Sequence, residues 1–409
     1  MHLNALIVKI SRMINFILLA SLLGLVSGTR VDISDYKNHP CIRKCHENDV
    51  MTCKYNFTVE YYYTLSKACY NCPYNKTDCQ RPHCVAANGM PRAIVVANRM
   101  LPGPAIHVSK SIKIEIKGIA VVPVCVCKGD IVQVDVFNRM ETGEGLAIHW
   151  HGLRQIGYQH MDGVDMITQC PIPKGSSFQY KLVLRFKVID EGTHFWHSHT
   201  GVQRGDGLFG AFIVREPTDV HEGLYDFDLP EHVISINSWY NELTIEMFNS
   251  LYHTENISSL NPDSILINGK GRYKEFQAPN TNDSSFTPYE VFNVELGRRY
   301  RFRLINNAIA NCAVQFSVDN HTLIVIATDG NPFEQIDVES LNVFAGERFD
   351  IVLTADQGVA NYWVRVRGLG LCQNSVAFQQ AIVHYEGASM ENPDGPSGYW
   401  HGARTGKNS

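Results

Sequence analysis

Short runs of alternating hydrophobic and polar residues dominate the chain from Gly89 onward. Between Gly129 and Asn138, Val132, Val134 and Val136 alternate with Gln133 and Asp135, a period of two that gives a strand one buried face and one wet face. The same alternation sets Tyr300, Phe302 and Leu304 against Arg299, Arg301 and Arg303, and Val364 and Val366 against Arg365 and Arg367. Turns rich in Gly, Pro and Asp separate these runs, and no amphipathic helix of useful length is expected. Many short, turn-bounded strands predict an all-β chain folded as two consecutive β-sandwiches. The first spans 88–217, ending at Ala211-Phe212-Ile213-Val214-Arg215-Glu216-Pro217, and the second spans 231–388 after a polar connector. Residues 389–409, rich in Gly, Pro, Ser and Asn, read as a tail.

The length of 409 residues suits two or three domains. A net charge of −5 leaves no basic excess to release counterions, so nucleic acid is excluded as a partner. Of 12 cysteines, Cys41, Cys45, Cys53, Cys69, Cys72, Cys79 and Cys84 crowd into residues 29–87, as a disulfide framework or a metal knuckle. Lys9 and Arg12 precede an apolar run, Met13 to Val26, that closes on Ser27 and Gly28. Residues 1–28 thus read as a secretory signal, with a retained signal anchor as the alternative, and no later segment is apolar for the ~18 residues of a membrane span. Sequons at Asn56, Asn75, Asn256, Asn282 and Asn320 fit a secreted glycoprotein. Disulfides are then the reading for 29–87, a stapled Cys-rich extension ahead of the first sandwich. Cys127 and Cys170 bracket the first histidine motif and are expected to pair, with Cys312 and Cys372 as a second candidate pair.

The candidate chemistry lies in two His-x-His motifs, His149-Trp150-His151-Gly152 and His197-Ser198-His199. On a strand, residues two apart share a face, so each motif presents two imidazoles side by side. One such pair is weak evidence, but two in one sandwich, both flanked by Trp and Gly, point to a metal site. Imidazole ligands suit copper, zinc, iron or nickel. A zinc hydrolase would need a positioned Glu or Asp base, which neither motif contains.

The segments Leu101-Pro102-Gly103-Pro104, His149-Trp150-His151-Gly152, Met161-Asp162-Gly163, Thr168-Gln169-Cys170-Pro171-Ile172, Gly192 to His199 and Asp206-Gly207-Leu208-Phe209-Gly210 together resemble the first cupredoxin domain of laccase-type multicopper oxidases. Ile265 to Gly269, Thr328-Asp329-Gly330 and Gly346-Glu347-Arg348-Phe349-Asp350 extend the resemblance through a second cupredoxin domain. The Cys-rich extension resembles that of the arthropod laccases. The resemblance implies Greek-key cupredoxin-like sandwiches, with His149 on a type 2 copper and His151, His197 and His199 on a type 3 pair. It implies one-electron oxidation of phenols or diphenols coupled to reduction of O2 to water, or, in the near neighbour, a ferroxidase acting on Fe2+. Asp162 matches a family carboxylate that assists proton delivery. His194, odd-spaced from His197, reads as a supporting residue, and Trp150 and Trp196 as packing.

Two departures stand out. Cys312 and Cys372 lack the flanking histidines of a type 1 copper cysteine, and His321 and His384 are lone histidines, so half of the trinuclear ligands, the type 1 site and the third cupredoxin domain are expected to be absent. Residues 109–126 read as an insertion outside the sandwich, an artefact of gene prediction or a real splice form. On this reading the 409-residue chain is inactive alone, and a non-catalytic secreted copper-binding glycoprotein is the rival from another class.

Overall fold

The structure is a computed structural model describing residues 39, 51–108, 115–116, 119–120, 130–183, 191–215, 219–256, 260–277, 283–309 and 312–402. The expected signal segment lies outside these residues, as does most of the 109–126 insertion. Of the insertion, Glu115–Ile116 and Ile119–Ala120 pair as a small hairpin that joins neither sandwich sheet.

The first sandwich has two four-stranded sheets. One is ordered Ala93–Ala97, Thr52–Tyr63, Ile131–Asn138, Ser177–Val183, and the other Ile106–Val108, Phe209–Val214, Gly192–Ser198, Ile148–His151. The strand Thr52–Tyr63 corrects the expected 29–87 extension. Cys53, Tyr55, Phe57 and Val59 are buried, and the strand lies inside the sheet, parallel to Ile131–Asn138. The turn region behind it is stapled by Cys69–Cys84 and Cys72–Cys79, and Cys53 within the strand is itself disulfide-bonded. Val132, Val134 and Val136 take the buried face as expected. The two sheets meet through aromatic contacts, Phe57 on Trp196 and Tyr180 on Trp150, with ring centroids 4.7 and 5.3 Å apart.

A six-stranded and a five-stranded sheet form the second sandwich. Phe292, Phe302, Leu304, Phe316, Val364, Val366 and Tyr385 fill its core. Cys312 and Cys372 are joined, with Cα atoms 5.2 Å apart. The expected Cys127–Cys170 pair does not form: Cys170 is an exposed free thiol, and Cys127 lies outside the described residues. An 11-residue helix, Thr244–Thr254, overturns the expectation of no useful helix. Its signature is hidden because Ile245, Phe248 and Tyr252 are exposed and its N-terminal cap is not local. The Asp206 carboxylate of the first sandwich accepts the Thr244 N–H at 3.0 Å and the Thr244 hydroxyl at 2.7 Å.

Arg301 and Arg303, assigned by periodicity to a wet face, are buried, because that face packs against the first sandwich. Arg303 donates to Asp228 at 2.5 and 2.9 Å, to Thr193 Oγ1 at 2.9 Å and to Asp350 at 3.1 Å, while Arg215 donates to Asp228 at 2.8 Å. Asp350 also accepts from Arg301 and from the Thr193 hydroxyl. A buried carboxylate is costly unless paired. Burial alone would raise the pKa of Asp228, but the guanidiniums of Arg215 and Arg303 outweigh it and hold the carboxyl well below its ordinary range.

Nearby, His107 has a solvent-sealed Nδ1 without a hydrogen-bond partner. Burial, reinforced by Arg215, pushes its pKa down to about 3. The unfolded chain therefore takes up the proton first. The stability tied to neutral His107 is whole above pH ~6.5 and drains as the pH falls towards the folded value, at about 1.4 kcal/mol per pH unit. The share tied to Asp228 is lost only below pH ~3.9. Urea unfolding of His107→Gln should show a flatter decline of stability between pH 6.5 and 4 than the unmodified chain; parallel declines would contradict this assignment.

Candidate metal centre

Strand pairing builds the site. Ile148–His151 runs antiparallel to Gly192–Ser198 in a register that sets His149 opposite His197 and Trp150 opposite Trp196. Alternation then sends both tryptophans into the core, fully buried, and the histidines to the other face. The close packing explains the neighbouring motifs. A Cβ on Gly103 or Gly210 would run into the Trp196 indole, whose Nε1–H donates to the Pro104 carbonyl at 2.9 Å. His199 follows the strand end, and its N–H donates to the Ala147 carbonyl at 2.9 Å, extending the ladder.

All four imidazoles converge. The His149 centroid lies 5.6 Å from that of His151, 5.4 Å from His197 and 5.4 Å from His199. One nitrogen from each of His149, His151 and His197 falls within 4.8 Å of the others. His149 Nδ1–H donates to the Asp162 carbonyl at 2.9 Å, and His197 Nδ1–H to the Ser198 carbonyl at 2.7 Å. A carbonyl only accepts, so each Nδ1 carries the proton and each Nε2 presents a lone pair, which in His197 faces His151 Nδ1 at 3.3 Å. Burial, with Arg348 adding to it, pushes the pKa of His151 down to about 2. Burial and Arg204 likewise hold His197 well below the ordinary range. Neutral imidazoles are the ligating form. Among the described residues, this all-nitrogen donor set fits copper.

The segment carrying the second motif is pinned from behind. Ser198 Oγ donates to Gln203 at 2.8 Å, and Gln203 donates to Glu144 at 3.0 Å. Tyr61 donates to the same carboxylate at 2.9 Å.

Comparison with known proteins bears on this arrangement. Multicopper oxidase profiles match residues 117–219 and 230–388, together more than half of the chain. The chain belongs to the multicopper oxidase family. It is 39% identical to Laccase-2 of Pleurotus ostreatus over 271 residues, 65% of this chain and 47% of that protein. Laccase-4 of Thanatephorus cucumeris is 34% identical over 319 residues, 76% of this chain and 54% of that protein. The crystal structure of the Botrytis aclada laccase superimposes with a TM-score of 0.62 at 28% identity, covering 84% of this chain and 54% of that one. The chain thus spans about half the length of the curated relatives it matches.

Other histidines are engaged elsewhere. A guanidinium only donates, so Arg348 NH2, 3.4 Å from His194 Nδ1, faces a lone pair, and His194 Nε2–H donates to the Glu191 carbonyl at 3.1 Å. Both ring nitrogens of His194 are occupied, consistent with a supporting residue. His321 bonds the Asp319 carbonyl and the Tyr385 hydroxyl, and His384 bonds Asn361.

Sequence reasoning placed Asp162 at the site through its carboxylate, but its backbone carbonyl makes the closer contact. Carboxylate Oδ1 lies 3.5 Å from His149 Nδ1, against 2.9 Å for the carbonyl. The adjacent Gly163, at φ +78°, brings the loop against the ligand strand, where a Cβ would overlap the Ile148 carbonyl. Gly157 in the same loop has φ +80° but open space around it. Chemical denaturation should find Gly157→Ala costing about 1 kcal/mol, the left-handed penalty alone, and Gly163→Ala costing more than ~2 kcal/mol. Equal costs would show that the loop does not press on the ligand strand.

Proposed function

We propose that this chain carries copper-binding histidines of a laccase-like multicopper oxidase, which oxidises phenols or diphenols in one-electron steps and reduces O2 to water. The supporting observation is that the Nε2 lone pairs of His149 and His197 are preset across one strand pair, with His151 and His199 alongside. Copper, when bound, would supply the electron-transfer chemistry. His149 would hold the type 2 ion, and His151, His197 and His199 would contribute to the type 3 pair.

The chain's own residues have separable tasks. The Asp162 carbonyl fixes the tautomer and direction of His149, leaving the partly exposed Asp162 carboxylate at the edge of the cluster to take up and release protons. Phe195 stacks on His151 at 4.4 Å, closing that side to water. Secretion belongs to the same proposal and is supported by the three disulfides named above, which persist in an oxidising compartment.

Copper titration of the purified apo chain tests the reading. His149→Ala and His197→Ala should each weaken Cu2+ binding at least about tenfold while circular dichroism stays unchanged. Binding that is indifferent to both substitutions would refute it.

A further inference from the structure

Between the two histidine motifs stands a side chain from the other sandwich. Arg348 belongs to the Arg348–Thr354 strand of the second sandwich, yet its guanidinium is buried against the first. Nε donates to the Thr193 carbonyl at 3.0 Å, NH1 donates to the Gly346 carbonyl at 3.0 Å, and NH2 faces His194 Nδ1 at 3.4 Å. Asp329 holds the other flank, its carboxylate 2.8 Å from NH1 and accepting the Arg348 N–H at 3.1 Å.

Three glycines make room for this contact. A Cβ on Gly152, the residue after the first motif, would strike both Arg348 and His194; one on Gly192 would strike Gly330. Gly346 packs so closely that a Cβ there would sit 3.3 Å from His151 Cε1. The guanidinium therefore touches the loop leaving His149-Trp150-His151, the strand leading to His197-Ser198-His199, and the turn that backs His151.

We infer that Arg348 is a positioning residue: from the second sandwich it clamps the two His-x-His motifs at the spacing needed for shared metal binding. The metal side of this inference rests on the copper reading above. Only a planar fork fits the clamp, because four acceptors in different directions are met by separate N–H groups, which a lysine ammonium on a narrower reach does not match. The alternative role, charge alone, predicts the opposite sign. A fixed positive charge beside the cluster repels Cu2+, so removing it should tighten binding, whereas loss of the clamp should weaken it.

The test compares Arg348→Met, Arg348→Lys and Asp329→Asn in the full chain, by Cu2+ titration, copper EPR and amide hydrogen exchange. Asp329→Asn is the mild variant: its side chain is 45% exposed, and asparagine tolerates the backbone φ of +50° there. Arg348→Met should bind Cu2+ at least tenfold more weakly with an altered EPR spectrum, and Arg348→Lys should not restore either. Exchange should quicken at Gly152, Leu153, Thr193 and His194 in Arg348→Met and, to a smaller extent, in Asp329→Asn. Unchanged or tighter copper binding in Arg348→Met, or full restoration by lysine, would overturn the inference. Should Arg348→Met fail to fold, Asp329→Asn decides by the same measurements, with native affinity and native exchange overturning it. If the unmodified chain binds no copper, the copper reading fails on its own, and unchanged exchange in the variants would separately refute the clamp.

Discussion

His149 faces His197 because two strands pair in one register, and the rest of the site is built upon that pairing. A slip of either strand by one residue would turn its tryptophan out to the metal face and its imidazoles inward, since side chains alternate along a strand. The tryptophans guard against the slip. Each is fully buried, and Trp196 is fixed by its bond to Pro104 and by Gly103 and Gly210 at its indole. The register of the metal ligands is therefore stabilised by hydrophobic burial on the opposite face, where large aromatic side chains contribute most. Carbonyl contacts from Asp162 and Ser198 then fix which nitrogen faces inward.

The second sandwich supplies the lateral constraint. Thr193, four residues before His197, is held through its hydroxyl by Asp350 and Arg303 and through its carbonyl by Arg348. Asp350 and Arg303 belong to a network in which three carboxylates, Asp219, Asp228 and Asp350, face three guanidiniums, Arg215, Arg301 and Arg303, so the buried carboxylates remain paired. Removing one member would strand a charge in the interface, at a cost of about 3–5 kcal/mol. The two sandwiches thus act as one support for the histidine cluster.

Much of this was legible in the sequence, for reasons that can be named. Period-two alternation at Val132 to Val136 and at Tyr300 to Leu304 marks strands whatever they pack against, and two His-x-His motifs mark a metal face by chemistry and spacing alone. What stayed hidden depends on distant partners. Arg301 and Arg303 look like a solvent face until Asp228 and Asp350 arrive from elsewhere in the fold. The Thr244–Thr254 helix lacks a local cap because Asp206 provides it. The strand Thr52–Tyr63 carried a readable alternation of its own, Cys53, Tyr55, Phe57 and Val59, but the neighbouring cysteines suggested a separate stapled module. The carbonyl role of Asp162 leaves no sequence signal, since any residue has a carbonyl.

Paired strands present several preset imidazoles to one point: with a full copper complement they would divide between the type 2 and type 3 ions as proposed above, but a single Cu2+ ion would meet the nitrogens of His149, His151 and His197 together, which lie within 4.8 Å of one another. Electron spin-echo envelope modulation on the chain loaded with a stoichiometric amount of Cu2+ tests it directly, because the remote nitrogen of each equatorial imidazole modulates the echo. The account predicts modulation from at least two imidazoles, reduced by one in His149→Ala. Modulation from a single imidazole or from none would contradict it.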